Sequence, residues 1–263
     1  MGKFTGKLLV SDMDATLLNE EHRVSEENRK AIEYFMSEGG KFTVAYGRMV
    51  AAVRAYFNQM AINAPAVLHN GAKLYDYENE RVLFERFIAE PRKECIRRFH
   101  DEVKNAGMEI YSDERVYVYR ANFKTERFKT KPYDVVYEMP DSVWNRPWIK
   151  VLIIDEREKL DAYEKLYREK YDKGYCVRSG DNYFDIVADG VSKGLGVMRL
   201  AELLEIKKED VYCVGDHIND IDMLKAAGHS YAVMNAEECV KETADEIIPS
   251  CNESAVAYII NNM

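Results

Sequence analysis

Two aspartates separated by a single residue, Asp12 and Asp14, follow directly on an apolar run near the N-terminus of the chain. If that run is a strand, the two-residue alternation of strand side chains places both carboxylates on one side of its carboxyl end. Open α/β sheets bind their ligands at this end. Two carboxylates so close repel each other unless a cation or a shared proton relieves them, and Mg²⁺ prefers oxygen ligands. A lone Asp-x-Asp is also common as a polar turn, so the pair alone does not decide the chemistry.

A second acidic cluster, made of Asp216, Asp220 and Asp222, also follows an apolar run and stands at the predicted start of a helix. Three acids within seven residues suit a cation site. Acids in a first helical turn also complement the helix macrodipole, and Asn219 could be simply an N-cap, so a structural interpretation is open. The cluster gains weight because it repeats the first one in position and composition.

Lys193 supplies the positive charge that a phosphoryl-transfer site needs. It follows Ser192, a residue suited to cap a helix. A cation at the start of a helix opposes the positive end of the macrodipole, so its side chain either extends into solvent or faces an anion. The solvated lysine is the commoner case. Together with the two acidic clusters, however, Lys193 completes the set that phosphoryl transfer requires, namely a nucleophile, a cation site and a charge clamp.

The order and spacing of these motifs resemble those of the haloacid dehalogenase superfamily, specifically its Cof-type phosphatases. The residues that carry the resemblance are Asp12-x-Asp14-x-Thr16, Lys193 within residues 191–194, Gly215-Asp216-x-x-Asn219-Asp220, residues 70–72, Asn235 and Asp245. The match covers nearly the whole core domain. It implies an α/β fold in which a Rossmann-like core with a parallel sheet carries an inserted α+β cap domain.

The resemblance also implies roles for individual residues. Asp12 would be the nucleophile that attacks phosphorus and forms an aspartyl-phosphate, and Asp14 the general acid that protonates the leaving oxygen and then activates water. Lys193 would neutralise the Asp12 carboxylate and the phosphate. Asn219 would orient that lysine or the phosphate.

Mg²⁺ is the cofactor that the resemblance implies. Its ligands would be the carboxylates of Asp12 and Asp216 and the backbone carbonyl of Asp14, with water molecules completing an octahedron. Three further residues would support these ligands from behind: Asp220, Thr16 and Arg48.

The main departure from the family is Tyr46, which stands where Thr-Gly-Arg is usual and the threonine binds a phosphate oxygen. A tyrosine hydroxyl lies several ångströms farther out on a rigid ring, and Thr43 points to the other face by strand alternation. Either Tyr46 and the Gly47 amide contact the phosphate, or Tyr46 packs away and one donor is lost, which typically costs about 10²–10³ in rate. Ala15 replaces a common glycine, which requires a backbone conformation accessible to a non-glycine residue.

The elements that must position these residues are predicted from hydrophobic periodicity and caps. The early part of the chain reads as strands at 7–10, 42–45, 65–68 and 73–75, with helices from Ser25 to Gly39 and at 49–60. Strands separated by helices predict a parallel sheet with helices on its faces. This pattern returns late in the chain as a helix at 192–204, a strand at 211–214 and a helix that ends at Gly228.

Between these segments the chain changes to short, aromatic-rich strands and two helices, which is typical of a separate α+β unit. We therefore predict a core domain at residues 1–84 and 188–263 and an inserted cap domain, which would determine substrate specificity, at residues 85–187. The segment 121–147 has no clear pattern. Its basic stretch 124–131, together with the many tyrosines of residues 85–187, would suit an anionic or sugar-like leaving group, but such charged runs are more commonly solvated faces.

The composition limits the classes of function. A chain of 263 residues with 47% hydrophobic content can bury a substantial core, and its net charge of -9 repels polyanions such as nucleic acids. Its apolar runs are far shorter than the roughly 20 residues of a membrane span, and no export signal is visible. Five cysteines without C-x-x-C spacing argue against a disulfide framework or a zinc site. We expect a cytoplasmic monomer or small homo-oligomer without nucleic-acid or membrane partners.

The function that the sequence predicts is Mg²⁺-dependent hydrolysis of a small phosphorylated metabolite, such as a sugar phosphate or a phosphorylated cofactor, through an aspartyl-phosphate. Two alternatives stay open. The same chemistry could serve a phosphosugar mutase, which returns the phosphoryl group to a sugar. The replacement of the usual threonine by Tyr46 could instead leave a catalytically impaired protein that binds ligands or regulates.

Overall fold

Short buried apolar runs form the strands of the fold, and capped amphipathic segments form its helices. The computed structural model describes residues 2–130 and 133–263, so Lys131 of the basic stretch lies outside the described residues. The strands are β1 (Leu8–Ser11), β2 (Lys41–Val44), β3 (Ala66–Leu68), β4 (Lys73–Asp76), β5 (Arg81–Glu85), β6 (Gly107–Ser112), β7 (Arg115–Arg120), β8 (Asp134–Val136), β9 (Lys150–Ile154), β10 (Cys176–Gly180), β11 (Tyr183–Val187), β12 (Val211–Gly215), β13 (His229–Val233) and β14 (Glu246–Ile248). The helices are α1 (Glu26–Ser37), α2 (Val50–Arg54), α3 (Glu90–Glu102), α4 (Arg157–Leu166), α5 (Lys193–Leu203), α6 (Ile221–Ala226), α7 (Glu238–Lys241) and α8 (Ala255–Asn262).

The chain divides into two compact units. The first comprises the chain up to Arg48 together with Val53–Phe84 and Ser192–Met263, and the second comprises Met49–Ala52 and Glu85–Val191. Each unit has its own sheets and its own buried apolar residues.

A five-stranded parallel sheet forms the centre of the first unit, in the strand order β14-β13-β12-β1-β2. In β1, Leu8 lies opposite Val211 of β12 on one side and Lys41 of β2 on the other. All four residues of β1 are buried, as expected for a parallel strand covered on both faces. The predicted fold class, an α/β protein with a parallel core sheet, is confirmed.

The third predicted strand does not join this parallel sheet through a full ladder. β3 instead pairs antiparallel with β4 in a three-stranded sheet, and a bridge between Ala45 and Val67 connects it to the end of β2. The reason is the turn at Asn70-Gly71, a residue pair typical of β-hairpins, which reverses the chain with φ angles of 55° at Asn70 and 93° at Gly71. A Cβ at Gly71 would lie 1.9 Å from the Ser192 carbonyl oxygen, so only glycine lets the turn lie against the start of α5.

The predicted helix over residues 49–60 is much too long, because α2 ends at Arg54. Tyr56, Phe57 and Asn58 follow, and all three residue types have modest helix propensity. Phe57 packs edge-on against Tyr77, with ring centroids 4.9 Å apart. The apolar spacing predicted further helical turns after Arg54, but the packing of Phe57 on Tyr77 is made by a chain that is no longer helical.

The two serine caps are confirmed. The Ser25 hydroxyl accepts a hydrogen bond from the Asn28 N–H at the start of α1, and the Ser192 hydroxyl accepts one from the Leu195 N–H at the start of α5. Within residues 2–130 and 133–263, no helix is both long enough and apolar enough to cross a membrane.

The second unit contains a six-stranded sheet in the order β10-β11-β9-β6-β7-β8. Its ladders are antiparallel except for the parallel pair β7 and β8. One face packs on α3 and α4 through a core that includes Phe99, Trp148 and Tyr167. The α+β character predicted for this part of the chain is confirmed.

The basic stretch 124–131 is not simply a solvated charged face. The Arg127 guanidinium lies 2.5 Å from the carboxylate of Glu109, whose side chain is fully buried. Burial raises the pKa of Glu109, and the neighbouring Arg127 opposes that rise. A buried carboxylate needs such a partner, so this arginine turns inward, whereas Lys129 and Glu126 pair at the surface.

Candidate active site

Asp12 is the first residue beyond β1, at the carboxyl edge of the parallel sheet. Its N–H donates to the Val214 carbonyl of β12 at 3.0 Å, which continues the strand pairing by one residue. Its carboxylate is 9% exposed. The sequence therefore places a nearly buried acid at the edge where open α/β sheets bind ligands.

Lys193 is the central cation of the site. Its ammonium group lies 2.5 Å from Asp12 Oδ1 and 2.6 Å from Asp220 Oδ1, and its side chain is 1% exposed. Burial lowers the pKa of this lysine, but the carboxylates of Asp12 and Asp220 outweigh burial and raise the pKa above its ordinary value. The helix-start lysine therefore faces anions and not solvent, which the sequence left open.

Both carboxylate oxygens of Asp220 accept hydrogen bonds that hold the cluster in place. Oδ1 accepts from Lys193, while Oδ2 accepts from the backbone N–H groups of Asp216 and His217 at 3.1 Å each. A Cβ at position 215 would lie 2.5 Å from the Asp220 carboxylate carbon, so Gly215 gives this side chain room to fold back on the strand end. Asp220 thus contacts both Lys193 and the backbone that carries Asp216.

Asp216 completes the acidic group. Its Oδ1 accepts a hydrogen bond of 2.7 Å from the Thr16 hydroxyl. Burial, reinforced by the Asp220 charge, raises the pKa of Asp216 to about 7. Burial also raises the pKa of Asp12 well above its ordinary value, against the opposing charge of Lys193. Both shifts show that burial disfavours the ionised form of these two carboxyl groups.

A divalent cation fits this donor set. Asp12, Asp216 and Asp220 each offer a carboxylate oxygen, and the three oxygens lie within 4.8 Å of one another. Oxygen donors suit Mg²⁺, and its two positive charges would favour the ionised carboxylates that burial disfavours. Because both oxygens of Asp220 are already hydrogen-bonded, Asp12 and Asp216 are the carboxylates better placed to hold the ion.

Asp14 lies in the turn after β1 and is held by two side chains that follow β2. The Tyr46 hydroxyl donates to Asp14 Oδ2 at 2.6 Å, and the Arg48 guanidinium donates to the same oxygen at 2.5 Å. His22 Nδ1 is 3.9 Å from the other oxygen, Oδ1. Tyr46 is thus buried without turning away from the site, because its hydroxyl bonds to the acid. Arg48 contacts Asp14 directly.

The remaining predicted residues surround this group. The Asn219 side-chain amide donates to Asn70 Oδ1 at 3.2 Å, while the hydrogen bonds described for Lys193 go to the two aspartates. Gly47 lies close to the side chain of Asn70, since a Cβ at position 47 would be 3.0 Å from Asn70 Oδ1. The Thr43 hydroxyl donates to the Pro65 carbonyl at 3.0 Å.

The expectation for Ala15 is wrong. Its φ is 56°, in the left-handed region that favours glycine, and not in a conformation that alanine ordinarily adopts. The Asn235 side-chain amide donates to the Ala15 carbonyl oxygen at 2.8 Å. This contact helps hold the turn in a conformation that the alanine side chain disfavours.

Three contacts of the site were absent from the sequence interpretation. Asn70 was included there only within residues 70–72, which carry the resemblance, yet its side chain accepts from Asn219 and its backbone N–H donates to the Tyr46 carbonyl at 3.3 Å. The bond from Tyr46 to Asp14 was also not foreseen. The sequence feature that could have indicated this bond is a tyrosine two residues after β2, the strand that neighbours β1.

Comparison with known proteins agrees with the geometry. Residues 9–260 match the family of haloacid dehalogenase-like hydrolases. Phosphatase YwpJ of Bacillus subtilis is 28% identical, with 98% of this chain and 99% of that protein covered. The 5-amino-6-(5-phospho-D-ribitylamino)uracil phosphatase YcsE of the same organism is also 28% identical, with 97% and 95% covered. The solved structure of a haloacid dehalogenase-like hydrolase from B. subtilis is 27% identical with a TM-score of 0.86, with 98% and 99% covered.

Proposed function

The chain belongs to the haloacid dehalogenase-like hydrolases and is a phosphatase, and on this premise we propose that it hydrolyses a small phosphorylated metabolite through an aspartyl-phosphate on Asp12. The observation that carries the proposal is the buried Asp12 carboxylate at the sheet edge, ion-paired at 2.5 Å to Lys193. A nucleophile with its charge clamp already in place costs little reorganisation at the moment of reaction.

Asp12 and Asp14 divide the chemistry between them. A carboxylate oxygen of Asp12 forms a bond to phosphorus while the bond from phosphorus to the ester oxygen breaks. Asp14 gives its proton to that leaving oxygen. In the second half-reaction Asp14 takes a proton from water, whose oxygen attacks the phosphorus and releases phosphate, so both carboxylates return to their starting state.

Mg²⁺ is proposed as the resident cation, held by the carboxylates of Asp12 and Asp216 and the backbone carbonyl of Asp14. When bound, it neutralises phosphate oxygens and the charge that develops on them. Thr16 orients Asp216 through its 2.7 Å hydrogen bond, and Asp220 orients Lys193. Lys193 and Asn219 are the proposed phosphate-binding side chains, together with the Gly47 amide.

Substrate choice is proposed to lie in residues 85–187, which we assign as the cap domain, because the roles proposed for the core residues concern the phosphate and not the rest of the substrate. The relative YcsE is named for a substrate with a phosphorylated ribityl chain. On this likeness we propose a sugar phosphate or a phosphorylated cofactor as the substrate class. A net charge of -9 disfavours nucleic acid as a partner.

The proposed function is tested by phosphate release from a panel of sugar phosphates, phosphorylated cofactors and aryl phosphates. We expect release from at least one class in the presence of Mg²⁺ and its loss when the metal is removed with a chelator. Phosphate release that is unaffected by chelation would contradict the metal requirement. A complete lack of release across the panel, from protein that binds Mg²⁺ and is folded, would contradict hydrolysis itself.

Mg²⁺ binding is expected to stabilise the protein more strongly at pH 8 than at pH 5. The pKa values of Asp12 and Asp216 are raised in the folded state, so the folded protein holds protons that the unfolded chain releases. Their contribution to stability is therefore fully present below the unfolded value of about pH 4 and is lost as the pH rises towards about 7. Mg²⁺ binds the deprotonated carboxylates and offsets this loss.

Thermal melting with Mg²⁺ and with a chelator at the two pH values measures the effect. At 100 times the dissociation constant we expect about 2.7 kcal/mol of stabilisation at pH 8, a shift of several degrees, and much less at pH 5. Asp216→Asn should remove most of the shift, whereas Asp210→Asn, at the residue before β12 and so at the opposite end of that strand from Asp216, should retain it. An equal shift at both pH values would show that these carboxylates do not bind the ion.

A further inference from the structure

We infer that Tyr46 is a positioning residue for Asp14, which fixes one carboxylate oxygen so that the other meets the leaving group, an inference that rests on the proposed acid role of Asp14. The Tyr46 hydroxyl and the Arg48 guanidinium both donate to Oδ2, at 2.6 and 2.5 Å. The two donors therefore hold the carboxylate in one orientation. The proton that Asp14 passes to the leaving oxygen belongs on Oδ1.

Tyr46 is itself held firmly enough to act as an anchor. It is 4% exposed, its N–H donates to the Val67 carbonyl at 2.7 Å, and its carbonyl accepts from the Asn70 N–H at 3.3 Å. The Arg48 guanidinium lies over the Tyr46 ring, 5.2 Å from its centroid. These contacts fix the backbone and the ring, so the hydroxyl has little freedom to leave Asp14.

The surroundings of Oδ1 differ from those of Oδ2. His22 Nδ1 lies 3.9 Å from Oδ1, and the His22 side chain is 69% exposed while that of Asp14 is 34% exposed, so this side of the carboxylate is partly open to solvent. One carboxylate oxygen is thus anchored by two protein donors, and the other is the one that can face the leaving group.

This arrangement also explains what a tyrosine does where the family has threonine. A threonine hydroxyl is attached to Cβ and ends several ångströms short of the position that the Tyr46 hydroxyl occupies beside Asp14. Tyr46 therefore contacts the side chain of Asp14, where the threonine of the family would contact the phosphate. Tyr46→Thr is expected to lower activity and not to restore it, because the anchor is lost.

The test compares wild type and Tyr46→Phe on substituted phenyl phosphates whose leaving phenols have pKa values from about 7 to about 10. A poor leaving group depends on the proton from Asp14, whereas p-nitrophenolate leaves without one. Since general acid catalysis contributes about 10²–10⁴ in rate, we expect kcat/KM to fall about 10-fold or more for phenyl phosphate and less than about threefold for p-nitrophenyl phosphate. The plot of log kcat/KM against leaving-group pKa should become steeper.

A merely structural role for Tyr46 would lower kcat/KM by the same factor for every ester, and an unchanged slope would overturn the inference. Arg48→Met should steepen the slope in the same way, and the double variant should lose less than the sum, because both donors act on one oxygen. Tyr258→Phe is the matched control, since its hydroxyl also bonds to a carboxylate, that of Glu246, remote in sequence from the site. If wild type hydrolyses none of the esters, the result contradicts the proposed function, on which the role of Tyr46 rests.

Discussion

Asp12→Asn is expected to abolish phosphate release, with turnover lowered on the order of 10⁴-fold or more, as when other enzymes lose their nucleophile. An amide has nearly the shape of the carboxylate but carries no charge, so it cannot form the bond to phosphorus. Steady-state phosphate release over the best substrate of the panel measures the loss. Asp210→Asn, the same change at a residue 42% exposed and 4.0 Å from Lys7, is the matched control and should retain full activity.

The loss should not come from unfolding. Burial raises the pKa of Asp12, which means that its ionised form costs stability near neutral pH. Asparagine removes that charge, and Lys193 keeps Asp220 as its partner at 2.6 Å. We therefore expect Asp12→Asn to melt at the same temperature as wild type or above it in the absence of metal, which separates lost chemistry from lost structure.

Covalent trapping identifies the nucleophile directly. Acid quenching of wild type during turnover, followed by digestion and mass spectrometry, should place one phosphoryl group on the peptide that contains Asp12. The same peptide from the Asp12→Asn variant should be unmodified. A phosphorylated peptide elsewhere in the chain, or turnover by the variant within tenfold of wild type, would refute the role assigned to Asp12.

Local signals were sufficient to predict much of the fold. Ser25 and Ser192 cap their helices because a hydroxyl accepts from an N–H two or three residues later, a contact that depends only on nearby residues. The turn at Asn70 and Gly71 is equally local, since both residues adopt left-handed conformations readily. Buried strands separated by helices then leave a parallel sheet as the simplest arrangement.

The incorrect predictions concern residues whose conformation depends on contacts with residues far away in the sequence. Residues 55–60 have helical spacing, but Phe57 packs on Tyr77 and the helix stops. Arg127 belongs to a charged run, yet the buried Glu109 draws it inward. Ala15 adopts a left-handed conformation beside the amide of Asn235. A pattern read over a few neighbouring residues cannot predict these contacts, because the contacting residues lie far apart in the sequence.

In the candidate site, too, the sequence predicted the roles of residues but not the contacts between them. Spacing and resemblance predicted roles for Asp12 and Lys193, but these residues are 181 positions apart, and the sequence could not give their separation of 2.5 Å. Thr16 and Asp216 are 200 positions apart and bond at 2.7 Å. The direction of the Tyr46 hydroxyl was the least predictable feature, because it depends on how the turn after β1 lies against the end of β2.

Lys193→Met is expected to have the second largest effect, because it affects both stability and activity. It leaves Asp12 and Asp220 buried without the ammonium group that now lies within 2.6 Å of each. Removing one partner of a buried ion pair typically costs about 3–5 kcal/mol of unfolding free energy. Loss of a charge that stabilises the transferring phosphoryl group should add a decrease in turnover of about 10²–10³.

The pH dependence of the variant follows from the sign of the shifts. The pKa of Lys193 is raised in the folded state, so in wild type its stabilising contribution is fully present below its unfolded value of about 10. Without Lys193 nothing opposes the rise in the pKa of Asp12 from burial and from its acidic neighbours. The destabilisation should therefore be larger at pH 8 than at pH 5, where protonation removes part of the repulsion, as urea unfolding at both pH values can measure.

The double variant Lys193→Met with Asp220→Asn separates the two roles of the lysine. Removing a carboxylate along with the cation leaves less uncompensated charge, so much of the lost stability should return. Activity should stay low, because no cation replaces Lys193 beside Asp12 and the phosphate. If the double variant instead recovers activity together with stability, Lys193 serves the fold alone, and its role as a charge clamp is refuted. If neither variant is destabilised, the buried ion pairs do not hold the cluster together.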